Sequence, residues 1–307
     1  MQHLKIEQLG SGVYAALATN EGSAGCNAGI VDLGGSTLVY DTCATLTAAR
    51  ELRAVAGKLT GRPPAWIVNS HEHPDHFNGN RIFEDGILVA SHATREAIAR
   101  QGRQRMGTMR RQIEARAEGC RRRLAAATDP AVRAELTAEV REYDAFSDGY
   151  PTGDDLRLPT LSFEGSLTLH GSARSAELID CGPSHSPGDA VLWLPQERVL
   201  FTGDLVVSGN LILCLGTPER WPAVLDRLEA LGADVLVQGH GGLVSPAEGF
   251  GSARRYLDEI FRLADGLAAA GEKPDCADRI EVPAEYHEYW FRENVRHLLG
   301  RRPASAT

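Results

Sequence analysis

No stretch of the 307 residues runs for the roughly eighteen apolar positions that a bilayer-crossing helix requires. The N-terminal segment, Met1-Gln2-His3-Leu4-Lys5-Ile6-Glu7, has no apolar core of the kind a secretory signal carries. The six cysteines (Cys26, Cys43, Cys120, Cys181, Cys214 and Cys276) are scattered, with no CxxC pair and no short repeated spacing. That usage reads as reduced thiols in a cytoplasmic protein. Positive charge is also short: the net charge of −9 opposes a general affinity for nucleic acid or anionic lipid. No Gly-x-Ser-x-Gly elbow announces a serine nucleophile, and no internal repeat stands out.

What is present begins with an ordinary globular composition, 43% hydrophobic and 24% charged. Short apolar runs at 4–8 and 13–18 flank the turn Gly10-Ser11-Gly12, and runs at 27–33 and 36–41 are joined by Gly34-Gly35, a hairpin signal. Helical spacing follows at 45–58 (Leu46, Ala49, Leu52, Val55, Ala56), ending near Gly57 or Gly61. Residues 92–146 change character, rich in Arg, Glu and Ala and poor in β-branched residues. They read as helices N-capped at Thr94 and broken near Asp129-Pro130, an insertion into a strand-rich chain. Its arginines alternate with Glu96, Glu114, Glu118, Glu135 and Glu139, which favours a solvated, ion-paired face or a homodimer surface over a nucleic-acid track. Strands resume at 160–163, 166–170, 175–180, 190–194, 199–202 and 235–237, with a helix at 218–231 and closing helices at 246–270 and 284–300. The reading is one α/β domain over 1–307, with a helical insertion at about 92–146 and C-terminal helices at about 246–300.

The chemistry concentrates in Ser70-His71-Glu72-His73-Pro74-Asp75-His76, which follows the apolar run Ala65-Trp66-Ile67-Val68-Asn69. A buried strand that stops at such a cluster delivers three imidazoles and a carboxylate to one sheet edge, and these are donors that suit zinc. The same arrangement, an apolar strand and then an abrupt polar loop with a ligand-type residue beside Gly or Pro, recurs at His185, Asp204 and His240. Seven such side chains are what a two-metal site with a shared carboxylate needs. Glu72 falls between the ligands and should point away from them. His92 suits either the cleft or a helix start. Cys181 reads as a packing residue, and His3, His170, His287 and His297 as surface or satisfied structural residues.

At this level of detail the chain resembles the metallo-β-lactamase-fold hydrolase superfamily. The resemblance rests on the signature His-x-His-x-Asp-His at His71, His73, Asp75 and His76. It is joined by the later His185, Asp204 in Thr-Gly-Asp, His240 in Gly-His-Gly, and Asp41 at an early strand end. It spans about 13–245 and implies a four-layer αββα sandwich. It also implies His71, His73 and His185 on one metal, Asp75, His76 and His240 on a second, Asp204 bridging, and Asp41 orienting ligands by hydrogen bonds. Two Zn²⁺, with Fe or Mn as substitutes, would hold a bridging hydroxide that attacks an ester-like bond of a small-molecule substrate, with Asp75 as proton shuttle. A bridging Asp204 resembles the glyoxalase II, lactonase and thioesterase branches and not the true β-lactamases. A mononuclear iron sulfur dioxygenase and a nucleic-acid phosphodiesterase share the signature and remain alternatives. The apolar segment 210–215 suits a pocket floor or the core.

Overall fold

A computed structural model describes residues 2–209, 211–213 and 215–301. The first sheet opens with an antiparallel meander: β1 (Leu4–Gly10), β2 (Val13–Ala18), β3 (Ala28–Asp32) and β4 (Thr37–Tyr40). The β3–β4 turn uses Gly34 and Gly35 at φ of 78° and 122°, a region a side chain would resist. Helix α1 (Leu46–Thr60) starts where the Thr45 hydroxyl accepts the Ala48 N–H, and stops at Gly61 in the left-handed conformation. Its apolar stripe, Ala48, Ala49, Leu52 and Ala56, is buried on the sheet. Parallel strands β5 (Pro64–Val68), β6 (Ile87–Ser91) and β7 (Leu161–Phe163) complete a seven-stranded sheet in sequence order, with the single turn α2 (Pro74–Phe77) after β5.

The second sheet contains β8 (Ser166–His170), β9 (Ser175–Gly182), β10 (Asp189–Leu194), β11 (Val199–Gly203), β12 (Val235–Gln238) and β13 (Leu243–Val244). Their spatial order is β13-β12-β11-β10-β9-β8, with β11 and β12 the parallel pair. Between the two lies α5 (Trp221–Glu229), and α6 (Pro246–Ala269) and α7 (Glu288–Arg301) follow. Val31, Leu38, Val68 and Val89 of one sheet meet Leu178, Leu192, Phe201 and Val237 of the other in an apolar seam. Each such side chain, fully buried, contributes about 1.5–3 kcal/mol, so the seam is the main attraction between the sheets. The outer face of the second sheet packs on α5, α6 and α7, and that of the first on α1. The layers are therefore α, β, β, α. The two-residue β13, too short to show a period, has no counterpart in the sequence reading.

The insertion between β6 and β7 is a helical hairpin of α3 (His92–Ala126) and α4 (Pro130–Gly149). Its break falls where expected, with the Asp129 side chain accepting the N–H groups of Ala131 and Val132 and Pro130 opening the new helix. The expected cap at Thr94 is corrected to Ser91. The Ser91 hydroxyl accepts the Thr94 N–H, so Thr94 lies inside the first turn and the exposed His92 starts the helix. Most of the α3 arginines are committed to carboxylates: Arg95 to Glu96, Arg103 to Asp154, Arg110 to Glu114, Arg121 to Asp144, Arg122 to Glu118 and Arg123 to Glu139.

Candidate metal centre

Every candidate ligand stands on one rim of the sandwich, in the loop or turn that follows a strand. β5 delivers His71, His73, Asp75 and His76; β9 leads to His185, β11 to Asp204 and β12 to His240. The loop backbones are fixed before any side chain is considered. The Asp189 carboxylate accepts the N–H groups of Ser184, His185 and Ser186 at 3.1, 2.9 and 3.1 Å, which shapes the loop that carries His185. The Ala190 N–H donates to the Ser70 carbonyl at 2.9 Å, tying that loop to the first cluster. A Cβ at Gly239 would stand 1.9 Å from Asp204 Oδ1, so only glycine lets this backbone pass behind the carboxylate.

The donor atoms converge in two sets. In the first, His73 Nδ1 lies 3.0 Å from His71 Nε2 and 2.9 Å from His185 Nε2, and Asp204 Oδ2 lies 3.7 and 3.4 Å from the same two Nε2 atoms. In the second, Asp75 Oδ2 lies 3.3 Å from His76 Nε2 and 3.4 Å from His240 Nε2. Asp204 reaches this set as well, with Oδ1 3.4 Å from His76 Nε2 and Oδ2 3.3 Å from His240 Nε2. Four donors about 2.1 Å from a common ion stand about 3.4 Å apart in a tetrahedron, so the spacing suits a metal of zinc's size.

Tautomers decide whether these contacts could instead be ordinary hydrogen bonds. Ser70 Oγ donates to Asp41 Oδ2 at 2.8 Å, so it accepts from His71 Nδ1 at 2.9 Å and leaves His71 Nε2 a bare lone pair. His185 Nδ1 donates to the Ile212 carbonyl at 3.1 Å, which leaves its Nε2 bare too. Both lone pairs face His73 Nδ1, which has at most one proton to give. His76 Nδ1 donates to Asp41 Oδ2 at 2.8 Å, and the buried His76 Nε2 and Asp204 Oδ1 have no hydrogen-bond partner among the described residues. Buried atoms left this way cost free energy unless a cation collects them. The donor set fits divalent metal.

The titration directions agree for the first set; in the second, burial would lower His76 and His240, but neighbouring groups (Cys26, Asp75 and Asp204 for His76, Asp204 and Asp75 for His240) outweigh it and raise both. Burial, with neighbouring imidazoles adding to it, holds His71 and His73 well below the usual histidine range, so both would offer a metal a neutral ring nitrogen. Burial would raise the Asp204 carboxyl, but His240 and His76 outweigh it and hold it well below the usual carboxylate range. Burial likewise opposes ionisation of Asp75, and His76 and His240 reverse that.

All seven expected ligands and Asp41 lie at this centre. Glu72 points away from it, as its place between ligands implied, and is fully buried against Arg105 of α3 at 3.2 Å. Cys181, on β9, packs in the core. His3 is buried and accepts the Ser23 N–H, and His170 is exposed beside Ser175. The pocket-floor reading of 210–215 holds for Ile212, while Leu211 and Leu213 are core; Asn210 and Cys214 lie outside the described residues. A cleft of about 290 Å³ opens over the centre, lined by His185, Asp204 and His240 and by Val207, Ile212 and Trp290. Sequence reasoning missed Trp290 of α7, because nothing in the run Tyr289-Trp290-Phe291 marks which of three adjacent aromatics meets the cleft. Asp189 was missed too, reading only as the last residue of the loop that carries His185.

The family model described as Metallo-beta-lactamase superfamily matches residues 22–240. The linear primary-alkylsulfatase of Pseudomonas sp. (strain ATCC 19151) is 27% identical over 253 residues, 75% of this chain and 43% of that protein. This chain thus spans less than half of that relative's length. The solved structure of a double mutant of the sec-alkyl sulfatase PisA1 aligns with a TM-score of 0.71 at 18% identity, over 98% of this chain and 50% of its own. A metallo-beta-lactamase from Pontibacter korlensis aligns with a TM-score of 0.59 at 17% identity, over 83% of this chain and 99% of its own.

Proposed function

Since the chain belongs to the metallo-beta-lactamase superfamily, we propose that it is a hydrolase that holds two divalent ions, zinc in the first instance, and cleaves an ester-class bond in a small molecule. The observation that carries this reading is Asp204, whose two carboxylate oxygens stand within 3.4 Å of His185 on one side and of His76 and His240 on the other. His71, His73 and His185 would hold one ion and Asp75, His76 and His240 the other, with Asp204 between them. Such ions supply a water acidified to a pKa near 7 and polarise the oxygen that gains charge.

The chain's own groups do the rest. Asp75 keeps 27% of its side chain exposed, so it can accept a hydrogen bond from the attacking water and pass the proton to the leaving group. Val207, Ile212 and Trp290 form an apolar wall that seats the unreactive part of the substrate and keeps bulk water out. The alkylsulfatase likeness adds alkyl sulfate esters to the thioesters and lactones as candidate substrates, and an alkyl chain suits this wall. A phosphodiester substrate would call for free cations along the insertion, where most arginines are already paired.

The test is metal content followed by a hydrolysis panel of alkyl sulfates, thioesters, lactones, β-lactams and phosphodiesters, run on wild type and Asp75→Ala. Two ions per chain, turnover within the ester class and a loss of at least about 100-fold in the variant are expected. Equal turnover by the two proteins would remove the proposed role of Asp75. Protein that carries one iron and consumes oxygen would replace hydrolysis with oxygen chemistry.

A further inference from the structure

The imidazoles that present Nε2 to the centre are not held alike. His71 is braced through Nδ1 by Ser70, His76 by Asp41 and His185 by the Ile212 carbonyl. His240 is different. Among the described residues its ring is hydrogen-bonded only to Asp204, at 3.3 Å, and its side chain is 37% exposed. With no brace on the far side of the ring, its direction depends on the backbone that carries it.

That backbone is gripped from the opposite sheet. Asn27, just before β3 and only 3% exposed, donates its backbone N–H to the Gly239 carbonyl at 2.8 Å. Its side-chain Nδ2 donates to the Gln238 carbonyl at 2.8 Å and to the Gly241 carbonyl at 2.9 Å, so the three bonds bracket His240 on both sides. The Asn27 Oδ1 accepts the Ala18 N–H at 2.9 Å, which anchors the clamp in β2. Both amide hydrogens and the amide oxygen are thus engaged. Aspartate in the same volume would offer no donor and would set a charge against two carbonyls. Serine would offer one donor and would not reach both.

We propose that Asn27 is a positioning residue for His240 and, through it, for the second ion; this rests on the two-ion reading above. Removing its side chain frees the Gln238 and Gly241 carbonyls and loosens the loop only where His240 sits, leaving the braces on His71, His76 and His185 in place. Ligand-orienting partners of this kind typically carry 10–100-fold in metal affinity.

The test is a competition titration of zinc against a chromophoric chelator, which reads both stepwise affinities, on wild type, Asn27→Ala, Asn27→Asp and His240→Ala. Both Asn27 variants are expected to bind the first ion as wild type does and the second about 10–100-fold more weakly, resembling His240→Ala. Cobalt-loaded variants should show the same split, with the absorption of one ion kept and that of the other diminished. Wild-type uptake of two ions with both variants unchanged overturns the role of Asn27 alone. Loss of both ions together, including through failure to fold, makes Asn27 a general structural residue and also overturns it. Wild-type uptake of a single ion removes the two-ion reading and this inference with it.

Discussion

Asp41 Oδ2 accepts the Nδ1–H of His76 at 2.8 Å while Asp41 Oδ1 accepts the backbone N–H of Ser70 at 2.7 Å. A third donor, Ser70 Oγ, reaches Oδ2 at 2.8 Å. The residue does this from a left-handed backbone, φ 62°, which aspartate and asparagine tolerate better than most. Asp41→Asn keeps that tolerance but lacks the second acceptor oxygen, so at least one of the three contacts is lost. Zinc affinity is expected to fall about 10–100-fold by competition titration, and further in Asp41→Ala, where the backbone strain also goes unrelieved. An Asn variant that binds zinc as wild type does would reduce Asp41 to a turn residue.

Glu72 and Arg105 join the metal loop to the helical hairpin. The Glu72 carboxylate is fully buried, and burial raises its pKa against the pull of the Arg105 guanidinium. Arg105→Ala would leave that carboxylate without its partner, at an expected cost of about 3 kcal/mol in a denaturant unfolding series. Glu72→Gln combined with Arg105→Ala should cost clearly less than the sum of the single changes. Additive losses would mean that the two side chains do not act as a pair.

Trp290 forms one wall of the cleft, and its ring packs edge-on against Tyr289 at 4.9 Å between centroids. Truncation to alanine should raise KM for a long-chain ester about tenfold while kcat changes little, since the ring offers apolar contact away from the reacting atoms. A series of substrates of decreasing chain length should lose that difference step by step. A uniform drop in kcat across the series would place Trp290 in the support of the centre.

Chelation offers a check that needs no substrate. Ions bound only by the folded chain stabilise it by about 4 kcal/mol when free metal exceeds Kd a thousandfold. At about 2–4 °C per kcal/mol, stripping them should lower Tm on the order of 10 °C, and added zinc should restore it. An unchanged Tm would show that the native state holds no ion tightly.

The sequence reading was strongest where a local rule leaves few options. The Asp129-Pro130 break, the Gly34-Gly35 turn and the polar cluster after β5 are each written in adjacent residues, and each stands where adjacency puts it. The helix start moved from Thr94 to Ser91 because both residues can cap and only the strand end of β6 decides between them. Asn27, Asp189 and Trp290 were not legible at all. Their roles come from partners that the fold brings close: Asn27 bonds carbonyls more than 200 positions away, and no spacing rule spans that distance.

The candidate ligand atoms divide by sheet. His71, His73, Asp75 and His76 come from the first, His185, Asp204 and His240 from the second, and neither half alone completes a donor set. An ion held at this rim would therefore work as a rivet through the seam, so ion release should report the parting of the two halves while each still keeps its own ladder of hydrogen bonds. Prying them apart at the rim would empty the reaction centre long before the polypeptide lost its shape.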